Sequence, residues 1–222
     1  MLINNEKMSM FFTKVYMWMF IGLLVSGGIA YYTSVTPSML KLVYSSFMLI
    51  VILELIVVFV FSLLRTKVST TVAKVLFIIY SALTGLTLSS IFIVYKIDSI
   101  LMVFLGSALM FGLMALYGYF TKTSLMSFGK ILLFGLIAII IMSIINIFVN
   151  NSSFGILISI VSILIFLGFT AYDMQKLKEI YYYYENDENE LSKASIYGAL
   201  DLYLDFINIF IRLLSLFGKR RD

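Results

Sequence analysis

Seven stretches of about twenty residues, almost free of charge, follow one another along this chain, and no other feature restricts its folding so tightly. They extend from Phe11 to Tyr32, Leu40 to Leu64, Ala73 to Tyr95, Ser99 to Phe120, Gly129 to Val149, Phe154 to Tyr172 and Ile196 to Phe217. A helix rises about 1.5 Å per residue and the hydrocarbon core of a bilayer is about 30 Å thick, so each stretch has the length of one crossing. Seven crossings and short connections use nearly all of the 222 residues. The expectation is an all-α integral membrane protein, a single seven-helix transmembrane domain over residues 1–222, with no space for a soluble catalytic domain.

Composition agrees: 62% of the residues are hydrophobic and 13% are charged, against roughly 45–50% apolar usage in a soluble domain. The net charge of +4 does not indicate a nucleic-acid partner, because the basic residues are scattered between apolar runs instead of gathering with aromatics on one face. They read as topology signals. The chain has no Cys and no His, which excludes disulfides, thiolate sites and imidazole chemistry and leaves proton traffic to carboxylates, Lys and Tyr. Met1 to Met10 is polar, with Glu6 and Lys7, and the apolar run after it exceeds the 7–15 residues of a signal-peptide core, so the first span is expected to be retained. No phosphate-cradling, nucleophile-elbow or zinc-protease motif is present.

The connections Thr33 to Met39, Arg65 to Val72, Lys96 to Asp98, Thr121 to Phe128 and Asn150 to Ser153 are short and polar, as between antiparallel neighbours. Residues 173–195 differ. Lys176, Lys178 and four tyrosines from Tyr181 to Tyr184 precede Glu185, Asp187, Glu188 and Glu190, a pattern that predicts a cytosolic helix extension and then an acidic loop. Two readings of the loop stay open: a solvated surface, or a mouth that concentrates cations. With the N-terminus in the cytoplasm, Lys7, Lys14, Arg65, Lys67, Lys74, Lys122, Lys130, Lys176, Lys178 and Lys193 lie inside, against Lys41 and Lys96 outside, which satisfies the positive-inside rule. The tail, Lys219 to Arg221, is the misfit; a seventh segment that re-enters and returns the tail to the cytosol is the alternative to a full crossing. Small residues such as Gly22, Ser26, Gly85, Gly106, Gly112 and Gly198 are read as helix-packing positions.

Four acids fall in or at the ends of the apolar runs: Glu54, Asp173, Asp201 and Asp205. An ionised carboxylate at the bilayer centre costs at least about 2.5–3.5 kcal/mol, so such groups face an interior and have a partner or a task. Asp201 and Asp205 share a helix face, and Asn208 continues it. Like charges in a low-dielectric site do not all ionise, which favours a shared proton and suits a pH sensor or a cation gate. Asp173, at the end of its run, and Asp201, near the start of its own, also read as terminal residues, the latter complementing a helix dipole. Asp205 lies roughly 13 Å beyond Ile196 and is the deeper group. Arg65 closes the second run beside Lys67. It reads either as a latch to Asp173 or as a snorkelling anchor. Glu54 lies about three turns deeper on the same run, and Arg212 adds a cation to the last one.

At these residues the chain resembles the Bax inhibitor family, the proteins with the transmembrane Bax inhibitor motif. The likeness is most specific at LYLDFINIF, Leu202 to Phe210, followed by IRLLSLFG to Gly218. FTAYDMQKLK from Phe169, YSALTGLTLSSIF from Tyr80 and FFTKVYMWMFIGLLVSG from Phe11 extend it over nearly the whole chain. The resemblance implies a seven-helix bundle with a central C-terminal helix and a pH-responsive calcium leak. It implies a sensor pair at Asp173 and Asp205, a latch at Arg65 and a supporting acid at Glu54; Asp201 matches no family motif. Arg212 departs from the pattern, since relatives place the basic residue about one turn later, where this chain has Ser215. Asp173 near a helix end and Asp205 well inside also require a shift of one helix along its axis before they pair.

Three functions are compared. A calcium leak channel or transporter, not an enzyme, is favoured by intramembrane carboxylates, the hard oxygen ligands that suit Ca²⁺, and by the resemblance, which implies Asp173 and Asp205 as the metal-contacting groups. An intramembrane aspartyl protease is echoed by Tyr172-Asp173 and Gly198-Ala199-Leu200-Asp201, but Leu200 stands where a second glycine is needed, and the Pro-Ala-Leu motif is absent, Pro37 being the only proline. A non-conducting regulator acting through protein partners is the third. The expected setting is a bacterial plasma membrane with membrane lipids and calcium as partners, no resident cofactor, and a monomer or weak homo-oligomer.

Overall fold

The structure, a computed structural model, describes residues 2–65 and 67–221, with side chains from Glu6 onward; Met1, Thr66 and Asp222 lie outside the described residues. Its helices are α1 (Leu2–Val35), α2 (Pro37–Ser45), α3 (Phe47–Leu63), α4 (Thr70–Val94), α5 (Ile97–Phe120), α6 (Gly129–Val149), α7 (Ser152–Tyr184) and α8 (Glu188–Phe217), with a 3-10 turn at Met126–Phe128 before α6. Among the described residues no strand forms, and one isolated bridge joins Tyr95 to Arg220. Among the described residues five segments are long and apolar enough to cross a membrane, or six if the bent pair α2 and α3 is one span. The expected seventh, α8, falls outside that set: Asp201, Asp205 and Arg212 interrupt its apolar character.

Two boundaries depart from the sequence reading. The run from Leu40 to Leu64 is two helices set at 74°. Ser45 and Ser46 mark the break, and Ser45 Oγ donates to the Leu42 carbonyl (3.0 Å), competing with the backbone ladder as serines at kinks do. In the segment 173–195 the departure is the start of α8, at Glu188 instead of Ile196. α7 runs on to Tyr184, the Asp187 N–H bonds the Tyr184 carbonyl (2.8 Å), and Asp187 Oδ1 accepts from the N–H groups of Asn189 (3.1 Å) and Glu190 (3.0 Å), which caps α8. Polar flanks hide this start, because a solvated helix end has no apolar period.

Other ends follow ordinary rules. Ser69 Oγ accepts from the Val72 N–H and opens α4, and Asn150 closes α6 in the left-handed region at φ 50°.

The chain divides into two compact units. The first holds α1 to α4, the last residues of α7 and α8 as far as Tyr203. Its core is aromatic: Phe77 meets Trp18 (6.3 Å between ring centres) and Tyr203 (5.9 Å), Tyr80 meets Tyr203 (6.1 Å), and Phe11 meets Tyr181 (5.8 Å). Gly85 permits close approach of α1, since a Cβ there would stand 2.7 Å from the Ser26 carbonyl oxygen. The second unit holds α5, α6, most of α7 and α8 from Leu204. Phe206 packs on Phe104 (5.1 Å) and Phe111 (5.8 Å), and Gly118 of α5 lies against the Ala171 backbone of α7. Along α8, Leu202, Tyr203, Phe206 and Ile209 are all deeply buried, whereas Ile139 is the buried residue of α6, most of whose apolar side chains are exposed, as on a lipid-facing helix.

Candidate functional site

Beyond the end of α3 the chain turns, and the Arg65 guanidinium reaches α8. Its Nη2 donates to both carboxylate oxygens of Asp201, at 2.8 Å and 2.6 Å, while the guanidinium carbon stands 5.1 Å from the centre of the Tyr197 ring. Tyr197 leans in turn on Phe61 of α3 (4.6 Å). The side chains of Arg65 and Asp201 are 34% and 22% exposed, so the pair is partly desolvated while retaining contact with its surroundings. The sequence reading weighed Asp173 as the latch partner and did not match Asp201 to Arg65. It also placed Asp201 near the start of its helix. Because α8 opens at Glu188, Asp201 lies roughly 20 Å along it.

Glu54, within α3, faces two hydroxyls of α4: Thr84 Oγ1 donates to Oε1 (2.7 Å), and Thr87 Oγ1 stands 3.2 Å from Oε2. The Thr87 hydroxyl also lies 2.9 Å from the Thr84 carbonyl, and its one proton goes to one of the two acceptors at a time. These threonines were not singled out from the sequence. Their signal was present, as two hydroxyls three residues apart in an otherwise apolar run share a helix face.

In the second unit, Asp173 and Asp205 are buried, 8% and 4% exposed. α7 continues to Tyr184, so Asp173, at the end of the apolar run, lies inside its helix. Lys176 Nζ approaches Asp173 Oδ1 at 3.5 Å, one turn on. Farther along, Gln175 accepts from the Leu125 N–H (2.6 Å) and donates to the Thr123 carbonyl (2.9 Å), and Lys178 donates to the Tyr119 carbonyl (2.8 Å). α7 thereby holds the α5–α6 connection, a role the sequence reading did not assign to Gln175 or Lys178. Asn208 donates to the Leu204 carbonyl of its own helix (2.8 Å). Arg212 is half-buried and makes no side-chain hydrogen bond or ion pair among the described residues.

After α8 the tail lies along the turn between α4 and α5. The Arg221 N–H bonds the Val94 carbonyl (2.9 Å), Arg220 bridges to Tyr95, and the Lys219 N–H bonds Ser99 Oγ (2.9 Å). Among the described residues no group of three or more His, Cys, Asp or Glu gathers as a metal cage. A Ca²⁺ at any one of these acids would therefore complete its six to eight oxygens mainly from water and backbone carbonyls.

The family profile described as "Inhibitor of apoptosis-promoting Bax1" matches residues 8–222. The chain is 43% identical over 215 residues to the "Inner membrane protein YbhL" of Escherichia coli, covering 95% of this chain and 92% of the relative. It is 40% identical to an uncharacterised protein of Borreliella burgdorferi, covering 100% and 95%, and 36% identical to one of Deinococcus radiodurans, covering 98% and 93%.

Proposed function

Because this chain belongs to the Bax inhibitor family, we propose that it is a pH-sensitive calcium leak channel or transporter of a bacterial plasma membrane, with Asp173 and Asp205 as its sensor. The observation that carries this reading is the burial of two carboxylates within one compact unit, each inside a helix. Two buried acids in one unit are costly to ionise together, so they hold protons at lower pH, and loss of those protons leaves oxygen-rich anions that either repel or bind a cation. Both outcomes shift helices or recruit Ca²⁺. Arg65 acts as the latch, and Asp201 is the carboxylate that receives it.

In this reading α8 is the seventh crossing. Asp201 meets Arg65 at the α3–α4 turn, whereas the tail after α8 meets the far end of α4, and the 25 residues of α4 lie between those two ends. About 37 Å of helix separates the two contacts, enough to span a bilayer. The excess of lysines on the Arg65 side supports a cytoplasmic setting for that side and the N-terminus.

Purified protein in liposomes tests the proposal. Calcium flux is expected to change between about pH 6 and pH 8, and an Asp173→Asn, Asp205→Asn double variant to flatten that dependence. Absence of flux over the whole range overturns it, and a stable stoichiometric protein partner recovered with such an inactive protein assigns it instead to non-conducting regulation.

A further inference from the structure

The break at Ser46 separates two helices with different relations to a bilayer. α3 has 17 residues and a rise of roughly 25 Å, which meets the lower limit for a crossing by itself. α2 has nine residues and stands at 74° to α3. Projected on the α3 axis it adds only about 4 Å, so it contributes almost nothing to the crossing. Since transmembrane helices tilt by about 20° on average, a helix at this angle to one runs close to the membrane plane.

The residues of α2 fit that position. At 100° per residue, Ser38, Lys41 and Ser45 share one face. Val43 lies on the opposite face and is buried against the protein. Leu42 and Tyr44 flank it, 56% and 86% exposed. In hydrocarbon the Lys41 stripe would be costly; in water, Leu42 and Tyr44 would each expose apolar surface without cover. The boundary between the two satisfies both. Tyr31 and Tyr32, exposed in the last turns of α1 just before α2 begins, mark the same level as an aromatic belt.

We propose that α2 is an interfacial helix docked on the lipid surface, with Lys41 directed at headgroup phosphates and Leu42 and Tyr44 at the upper acyl chains. The proposal does not rest on calcium transport.

The absence of native Cys makes the test direct. Single substitutions Ser38→Cys, Lys41→Cys, Leu42→Cys and Tyr44→Cys, with Leu55→Cys in α3 as the deep reference, are labelled with an environment-sensitive fluorophore in phosphatidylglycerol-containing vesicles. Lipids carrying a nitroxide at the headgroup side or at mid-chain then report depth. Leu42→Cys and Tyr44→Cys are expected to be quenched about twofold more strongly by the shallow nitroxide than by the mid-chain one, with Leu55→Cys reversed. Ser38→Cys and Lys41→Cys are expected to respond to an aqueous quencher. Mid-chain quenching across all four α2 sites would show a membrane-inserted segment and overturn the proposal; aqueous quenching at all four without lipid quenching would overturn it in the other direction.

Discussion

Asp201 binds Arg65 through a single guanidinium nitrogen that reaches both carboxylate oxygens, with Tyr197 beneath the cation. A partly exposed pair gains little net energy, because the surroundings already solvate both charges. A double-mutant cycle with Arg65→Gln and Asp201→Asn, read by thermal unfolding in detergent, is expected to give a coupling of about 1 kcal/mol or less. Under the leak proposal the functional effect exceeds the energetic one: Asp201→Asn frees the latch and raises basal calcium flux in liposomes without abolishing its pH response. Unchanged flux in that variant would remove Arg65 and Asp201 from the gate while leaving the sensor pair untouched. The separation of roles follows from position, since Asp201 belongs to the compact unit of Arg65, and Asp205, one turn later, to the unit of Asp173.

At the scale of elements, close helix approach rests on a few glycines. A Cβ on Gly118 would stand 2.7 Å from the Ala171 Cα and press on that residue's carbonyl, so backbone meets backbone and no flexible side chain can yield. Gly118→Ala is therefore expected to destabilise the protein by about 1–3 kcal/mol, seen as a lower Tm in detergent. Gly112→Ala, on the same helix with nothing within 4 Å of its Cβ, is expected to leave Tm unchanged or raise it slightly, as Ala favours helix over Gly by up to about 1 kcal/mol. The apolar runs alone do not separate these two glycines, because both lie in similar sequence and only the neighbouring helix distinguishes them. The same limit applies to the break between α2 and α3: a Ser pair is compatible with a straight helix, and the 74° turn becomes visible only in three dimensions.

For the whole molecule, a full crossing by α8 predicts opposite sides for two positions just past the ends of α8 and α3. In intact cells or oriented vesicles, Lys219→Cys should react with an impermeant maleimide from outside, and Lys67→Cys only after permeabilisation. Labelling of both from one side would return α8 to a re-entrant path. The tail carries three basic residues and meets the α4–α5 turn through backbone hydrogen bonds.

Much of this protein was readable in one dimension. Bilayer thickness acts on each segment separately, so run length and charge suffice to indicate a helical membrane protein, and the motif from Leu202 to Phe210 suffices for its family. The rarity of acids in hydrocarbon picked out Glu54, Asp173, Asp201 and Asp205 for the same reason. Partnership is different in kind. That Arg65 meets Asp201, that Glu54 meets Thr84 and Thr87, and that α8 already begins at Glu188 depend on which faces of separate helices are brought together and on where solvated helix ends stop. Neither is encoded in the length or polarity of a single run, so both had to await the folded chain.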